Sequence, residues 1–187
     1  MVKKKSSLHS PVFSLRNKAV RVIWGLIYST FFRWSPPPLF GFRRTLLRCF
    51  GARVGANVLV YPTASVWLPS NLAVGNGATL GPSVKIYNQG VIKIGSNAII
   101  SQGVHMCAST HDYNDPLHPL ILAPITIGAN AWICADAFIC PGSAVGEGAV
   151  VGARAVLTKD AAAWGVYAGN PAVMIKHRKV FSDDSNV

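Results

Sequence analysis

The chain has 187 residues, half of them hydrophobic, and a formal net charge of +11. That length limits it to one domain, or one domain with an extension, whose core needs no disulfides. The four cysteines, Cys49, Cys107, Cys134 and Cys140, have no metal-like spacing and read as buried or half-buried thiols of a reducing compartment.

The charge is confined to one end. Residues 1–53 hold eleven Lys or Arg and no acid, whereas residues 54–187 hold seven basic and seven acidic residues. A basic segment of this kind attracts anionic surfaces. Residues 1–15 are polar and basic and read as a mobile arm. From Val20 to Trp34 the chain turns apolar and aromatic. Its uncharged run, Val22 to Phe32, is eleven residues, against about 20 for a spanning helix. No small-residue cleavage site follows, as a signal peptide requires. Arg33-Trp34 and then Ser35-Pro36-Pro37-Pro38 follow instead, so the segment reads as a helix stopped by prolines. Two compatible readings stand. The helix caps the open end of a solenoid, or it lies in a membrane interface with Arg16, Lys18, Arg21 and Arg33 near anionic headgroups, making residues 1–34 a peripheral membrane contact. A second helix, about Phe40 to Phe50, carries Arg43, Arg44 and Arg48 on what reads as a solvated face.

An aliphatic ladder with a step of six then begins. It runs Val54, Val60, Val66; Val74, Leu80, Ile86; Ile94, Ile100, Met106; Ile127, Ile133, Ile139; Val145, Val151, Leu157. Hexapeptide self-similarity predicts a parallel β-helix. Three rungs make one triangular coil, so residues 54–160 form five coils. The step lengthens to eight after Val66 and Ile86, and to twenty-one after Met106. Every slip therefore falls at one corner, and the largest inserts a loop at 107–124 that carries His111 and His118. An insertion on one side of a repeat array often marks the binding face. Residues 161–187 follow as a turn at Gly165, Gly169, Asn170 and Pro171, a short closing helix at Val173 to Lys179, and a loose tail from Phe181. The expected units are thus a 1–53 extension, a 54–160 β-helix and a 161–187 terminal segment.

Several stretches carry a resemblance. They are Asn88-Gln89-Gly90, Ile100-Ser101-Gln102-Gly103, Ser109-Thr110-His111-Asp112-Tyr113, Ala131-Trp132-Ile133, Val151-Gly152-Ala153-Arg154, Leu157-Thr158-Lys159-Asp160 and Ala168-Gly169-Asn170-Pro171-Ala172. Across about 54–178 the chain resembles the hexapeptide-repeat acyltransferases, and in detail the branch associated with colanic-acid biosynthesis. The N-terminal run from Phe32-Arg33 through Pro37-Pro38-Leu39-Phe40-Gly41-Phe42-Arg43-Arg44 to Phe50-Gly51-Ala52 resembles the same branch. The resemblance implies an all-β, left-handed parallel β-helix and an acetyl-CoA-dependent O-acetyltransferase. The acceptor that the resemblance implies is a sugar hydroxyl in exopolysaccharide or surface-glycan synthesis. It also implies a cytoplasmic homotrimer with active sites between subunits, leaving peripheral contact at the inner membrane face open. No metal and no nucleic acid are expected.

Acetyl transfer to a hydroxyl needs a base, and histidine titrates near neutrality. His111 opens the long insertion and matches the family's catalytic position, so it is assigned that role. Asp112 and Asp115 are the residues proposed to orient its ring. His105, which approaches the same corner, stays in view; His9, His118 and His177 read as non-catalytic. By the resemblance, the pantetheine arm runs near Ala135, Gly152 and Ala153, where small side chains admit it. Thr158 and Lys159 meet the nucleotide end, with the Lys159 charge for phosphate. Trp132 either walls the thioester pocket or packs under the neighbouring loop. The chain departs from the galactoside and maltose acetyltransferases at Gly81, where they have Asn, and at Val173, where an Arg faces the cofactor and Lys176 or Arg178 is the substitute. Tyr87, Asn88, Tyr113 and Asn114 are the acceptor contacts expected in their place. Two other readings are a γ-carbonic-anhydrase-like zinc enzyme using His105, His111 and His118, and a non-catalytic β-helix scaffold. The first lacks a matching histidine on the coil of residues 127–139; the second leaves the His111 loop and the Thr158-Lys159 end without a purpose.

Overall fold

A computed structural model describes residues 13–180; the expected arm of residues 1–15 lies mostly, and the expected tail from Phe181 entirely, outside the described residues. Three parallel sheets form a prism. The first face stacks strands Arg53–Val54, Leu72–Val74, Ile92–Ile94, Ile125–Ile127 and Ala144–Val145. The second stacks Leu59–Val60, Thr79–Leu80, Ile99–Ile100, Trp132–Ile133 and Val150–Val151. The third stacks Ser65–Val66, Lys85–Tyr87, His105–Cys107, Phe138–Ile139 and Val156–Leu157. Rungs stand in register, as in Val60 on Leu80, Leu80 on Ile100, and Ile100 on Ile133. All fifteen ladder residues are buried, so the step of six is one side of the prism and five coils are present.

The corners explain the rest of the repeat. Asn57, Gly77, Asn97, Asn130, Gly148 and Trp164 form a column with positive φ, a turn that Gly and Asn adopt at least cost. The glycine after a rung has a different cause. A Cβ on Gly75 would lie 2.5 Å from the Ser96 nitrogen of the next coil, so the coils could not stack at their normal spacing.

The N-terminal segment begins earlier than its apolar run. Helix α1 spans Leu15–Ile27, with the Ser14 side chain accepting from Asn17 N–H at 3.2 Å as an N-cap. It continues as a π-helical turn, Tyr28–Phe32. There the hydroxyls of Ser29 and Thr30 donate to Leu26 O at 3.1 and 2.7 Å, competing with the α-helical bonds. Helix α2 spans Phe40–Cys49. Trp24, Phe32 and Leu47 bury themselves against the first coil, closing the core at that end.

The three arginines of α2 do not form a solvated face. In the stack, Val74, Leu80 and Ile86 accept backbone N–H bonds from Gly55, Tyr61 and Trp67. Val54, Val60 and Val66 hold the same position in the first coil, which has no coil before it. Side chains supply the donors instead. Arg48 donates to Val54 O at 2.7 Å, Arg43 to Val60 O at 2.5 Å, and Trp24 Nε1 to Val66 O at 2.7 Å. Arg44 reaches Val58 O at 2.9 Å. Arg43 is 0 % exposed, and also bonds Ser35 Oγ, Pro36 O and Pro37 O. Its charge is thus met by oxygen dipoles, which buried donors and acceptors require.

The other end differs from expectation. Val173 to Lys179 is not a helix. Strand Gly165–Gly169 pairs parallel to Val150–Val151, and strand Ala172–His177 turns back antiparallel upon it. The edge of the second sheet offers unpaired backbone groups, and strand pairing satisfies them where a helix could not.

Candidate active site

The insertion is an arm with its own pairing. Strand Ser109–His111 runs antiparallel to Leu120–Leu122, with His111 opposite Leu120. The arm leaves the corner between the third and first faces and exposes the His111 ring. His111 Nδ1 lies 2.6 Å from the backbone oxygen of His118. A carbonyl only accepts, so Nδ1 carries the proton and Nε2 keeps a free lone pair. His118, with φ of 43°, contributes its carbonyl. The aspartates serve the loop: Asp112 Oδ1 accepts from Asn114 N–H at 3.1 Å and Asp115 Oδ1 from Leu117 N–H at 3.0 Å. The Nδ1 bond therefore goes to a backbone oxygen, not to either proposed carboxylate.

A cleft of about 450 Å³ lies beside the ring, lined by Phe13, Tyr87, Gln89, Cys107, Ser109, His111 and Leu120. Tyr87 is partly exposed there, and its hydroxyl accepts from Gln89 Nε2 at 2.6 Å. Tyr113 and Asn114 are exposed at the arm's tip, outside that lining. Asn88 is withdrawn from the acceptor set. It is 0 % exposed, with Oδ1 accepting from Leu68 N–H at 3.0 Å and Nδ2 donating to Leu68 O at 2.7 Å. It extends the backbone ladder across the corner. Phe13, Gln89, Cys107, Ser109 and Leu120 line the cleft but were not among the expected site residues. Gln89 follows Asn88 directly, and nothing local shows that its half-buried side chain lines the cleft while that of Asn88 turns to the backbone of Leu68.

His105 faces outward on the third face. Burial, then the Lys85 charge, holds its pKa below the usual histidine value, so it is neutral at neutral pH. Cys107 lies beside the cleft, and burial together with Cys107 pushes the Cys140 thiol up. Cys134 is raised by burial too. Neither raised thiol is an activated nucleophile. Cys49, expected to be at least half-buried, is exposed. Among the described residues, no three His, Cys, Asp or Glu are grouped to hold a metal ion, so His105, His111 and His118 do not form the set a zinc enzyme needs.

The residues expected to meet the donor divide into two groups. Thr158 and Lys159 are exposed at the same corner as His111. They lie two coils further on, about 10 Å along the stack. Trp132, Ala135, Gly152 and Ala153 belong to the second face and its far corner, with Arg154 N–H bonded to Ala135 O at 2.9 Å. The width of the third face separates the groups. Trp132 stands 43 % exposed, with its indole N–H on Ser101 Oγ at 2.9 Å, so it is not packed beneath the arm. The corner surface at Ala135 and Ala153 is small-sided and open, which suits a narrow chain. At Gly152 a Cβ would lie 3.0 Å from Tyr167 O, so the terminal hairpin packs closely over that glycine. Of the proposed replacements near the terminus, Arg178 donates to Asn130 O at 3.2 Å and Gly148 O at 3.1 Å, whereas Lys176 is exposed.

Comparison with known proteins adds to this geometry. Residues 124–159 match the bacterial transferase hexapeptide family (six repeats). A putative colanic acid biosynthesis acetyltransferase of Escherichia coli (strain K12) is 39% identical over 161 residues, covering 86% of this chain and 88% of that protein. A galactoside acetyltransferase in complex with coenzyme A superposes with a TM-score of 0.82 at 26% identity, covering 95% of this chain and 92% of that one. A hexapeptide-repeat acetyltransferase from Vibrio cholerae O1 biovar eltor, complexed with acetyl coenzyme A, superposes with a TM-score of 0.81 at 21% identity, covering 92% and 94%.

Proposed function

Because the chain belongs to the hexapeptide-repeat acetyltransferases, we propose that it transfers an acetyl group from acetyl-CoA to a sugar hydroxyl, with His111 as general base, in the synthesis of an exopolysaccharide or surface glycan. The observation that carries the base assignment is the bond between His111 Nδ1 and His118 O. It fixes the tautomer whose Nε2 accepts a proton, and it needs no carboxylate. Acetyl-CoA supplies the activated acyl group. Nε2 takes the acceptor's hydroxyl proton as that oxygen attacks, and the imidazolium returns it to the departing thiolate. The relative named for colanic acid biosynthesis supports the polymer context. The bound coenzyme A of the galactoside enzyme supports the donor, and its own named substrate class supports a sugar acceptor.

The division of the site supports a homotrimer. One subunit's His111 corner, with Thr158 and Lys159, meets the Trp132 and Ala135 side of the next across a cyclic interface. In this reading Lys159 holds a phosphate of the donor, and Tyr87 and Tyr113 meet the acceptor. A cytoplasmic protein with peripheral contact at the inner membrane face fits the outward side of α1. Val22, Ile23 and Leu26 are exposed there, as are Phe31 and Trp34 just beyond it. No helix among the described residues is long and apolar enough to cross a membrane.

The test is thiol release from acetyl-CoA across a panel of sugar acceptors. His111→Ala should lower the rate by about 100-fold or more with the fold unchanged by circular dichroism. A variant that keeps full activity removes His111 from the base role.

A further inference from the structure

We propose that the third face carries an extended acceptor groove for an anionic carbohydrate, running from Arg21 past Trp67, Lys85 and Tyr87 to His111. It rests on the acetyl-transfer reading for its reactive end alone. Three clefts meet along this face. The first, about 250 Å³, is lined by residues including Arg21, Ser65 and Trp67. The second, about 320 Å³, shares Ser65 and Trp67 and adds Lys85, Tyr87 and His105. The third, the 450 Å³ cleft at His111, shares Tyr87. A run of clefts linked by shared walls fits several sugar units better than one.

The lining fits carbohydrate. Trp67 and Tyr87 stack edge to face with centroids 6.0 Å apart, and Phe13 lies 5.1 Å from Trp67. Aromatic side chains of this kind present apolar faces together with polar tips, as a sugar ring requires. Gln89 Oε1 is buried without a hydrogen-bond partner at the His111 end, where a sugar hydroxyl can donate to it. Such an orphan acceptor is costly unless something binds it.

The charge narrows the class. None of the residues lining the three clefts is acidic. Arg21 lies over Trp67 with its guanidinium carbon 4.3 Å from the ring centroid, held by a cation–π contact. Its Nε is also buried without a partner. Neither Arg21 nor Lys85 forms an ion pair among the described residues. Two unpaired cations along an aromatic groove complement carboxylate or phosphate groups on a sugar.

The experiment is calorimetric titration of the full chain without acetyl-CoA. The probes are a uronate-containing tetrasaccharide, its carboxyl-reduced neutral counterpart, and glucose 1-phosphate. At least one charged probe should bind about tenfold or more tightly than the neutral one; which of the two does so separates carboxylate from phosphate. The double variant R21Q/K85Q, checked for an unchanged unfolding midpoint, should bind that probe no better than the neutral sugar. Lys93→Gln on the first face should change nothing. Equal binding of charged and neutral probes, or full binding by R21Q/K85Q, overturns the groove. Because no donor is present, the result is independent of catalysis. A wild-type protein that binds the charged probe through Arg21 and Lys85 but releases no thiol from acetyl-CoA upholds the groove and removes the transfer reading.

Discussion

The two ends of the solenoid face the same problem and close it with different chemistry. Each terminal coil lacks a neighbour, so its backbone groups lack partners. At the C-terminal end the chain adds more backbone, strands Gly165–Gly169 and Ala172–His177, to the second sheet. At the N-terminal end it adds side chains, with Arg48, Arg43 and Trp24 donating to the three rung carbonyls. A side-chain cap leaves the outer surface of its helices free for other uses. It also concentrates positive charge, because arginine is the donor that forks to several carbonyls at once. The excess charge of residues 1–53 is thus partly structural: three of its eleven cations are bound to the first coil.

If the side-chain cap is what closes the N-terminal end, Arg43 is its most costly loss. Arg43→Leu strands Val60 O and the carbonyls of Pro36 and Pro37 in a buried site. At ~1–3 kcal/mol for an unmet buried group, the loss should reach about 3 kcal/mol or more in urea unfolding. A change below about 1 kcal/mol would mean that water or a shifted chain replaces the cap. Trp24→Phe is the narrower test, since it keeps the ring and removes the N–H from Val66 O. We expect about 1–2 kcal/mol. A neutral result would show that Trp24 acts by packing alone.

The solenoid was legible because its period is its geometry. One rung every six residues is one side of the prism, and each slip is a corner with extra chain. That a helix caps the open end was legible too, from its apolar run beside a repeat that lacks a neighbour, but the donors that make the cap were not. Arg43 looked like a solvated charge because its partners are backbone oxygens as far away as Val60, which leave no mark in sequence. Asn88 looked like an acceptor contact for the same reason: its partner is the backbone of Leu68. The terminal strand Ala172–His177 depends on the edge at Val150–Val151, which no local propensity records. At the site, the position of the insertion pointed to His111. Its orienting atom did not show, because a carbonyl belongs equally to every residue type.

At the C-terminal end the backbone should hold most of the stability, so side-chain loss should cost less. Arg178→Met removes the bonds to Asn130 O and Gly148 O, which lie at a partly buried corner where water can enter. A cost of about 1 kcal/mol is expected. A loss as large as that of Arg43→Leu would make both ends side-chain caps.

The smallest effect concerns the groove between the ends, through His105. Burial and Lys85 hold its pKa below 6.5, so below that pH the unfolded chain takes up a proton that the folded one resists. Its contribution to stability is complete above about pH 6.5 and is lost as pH falls toward the folded pKa. His105 is partly exposed, so the change should stay below about 1 kcal/mol. The readout is the drop in urea midpoint between about pH 7.5 and 5.5, which His105→Gln should make shallower. Lys85→Gln should recover part of the same difference, since it removes the second cause and leaves burial in place. If Lys85→Gln changes nothing, Lys85 is too well screened by water to act on its neighbour, and the positive field of the groove would rest on Arg21 alone.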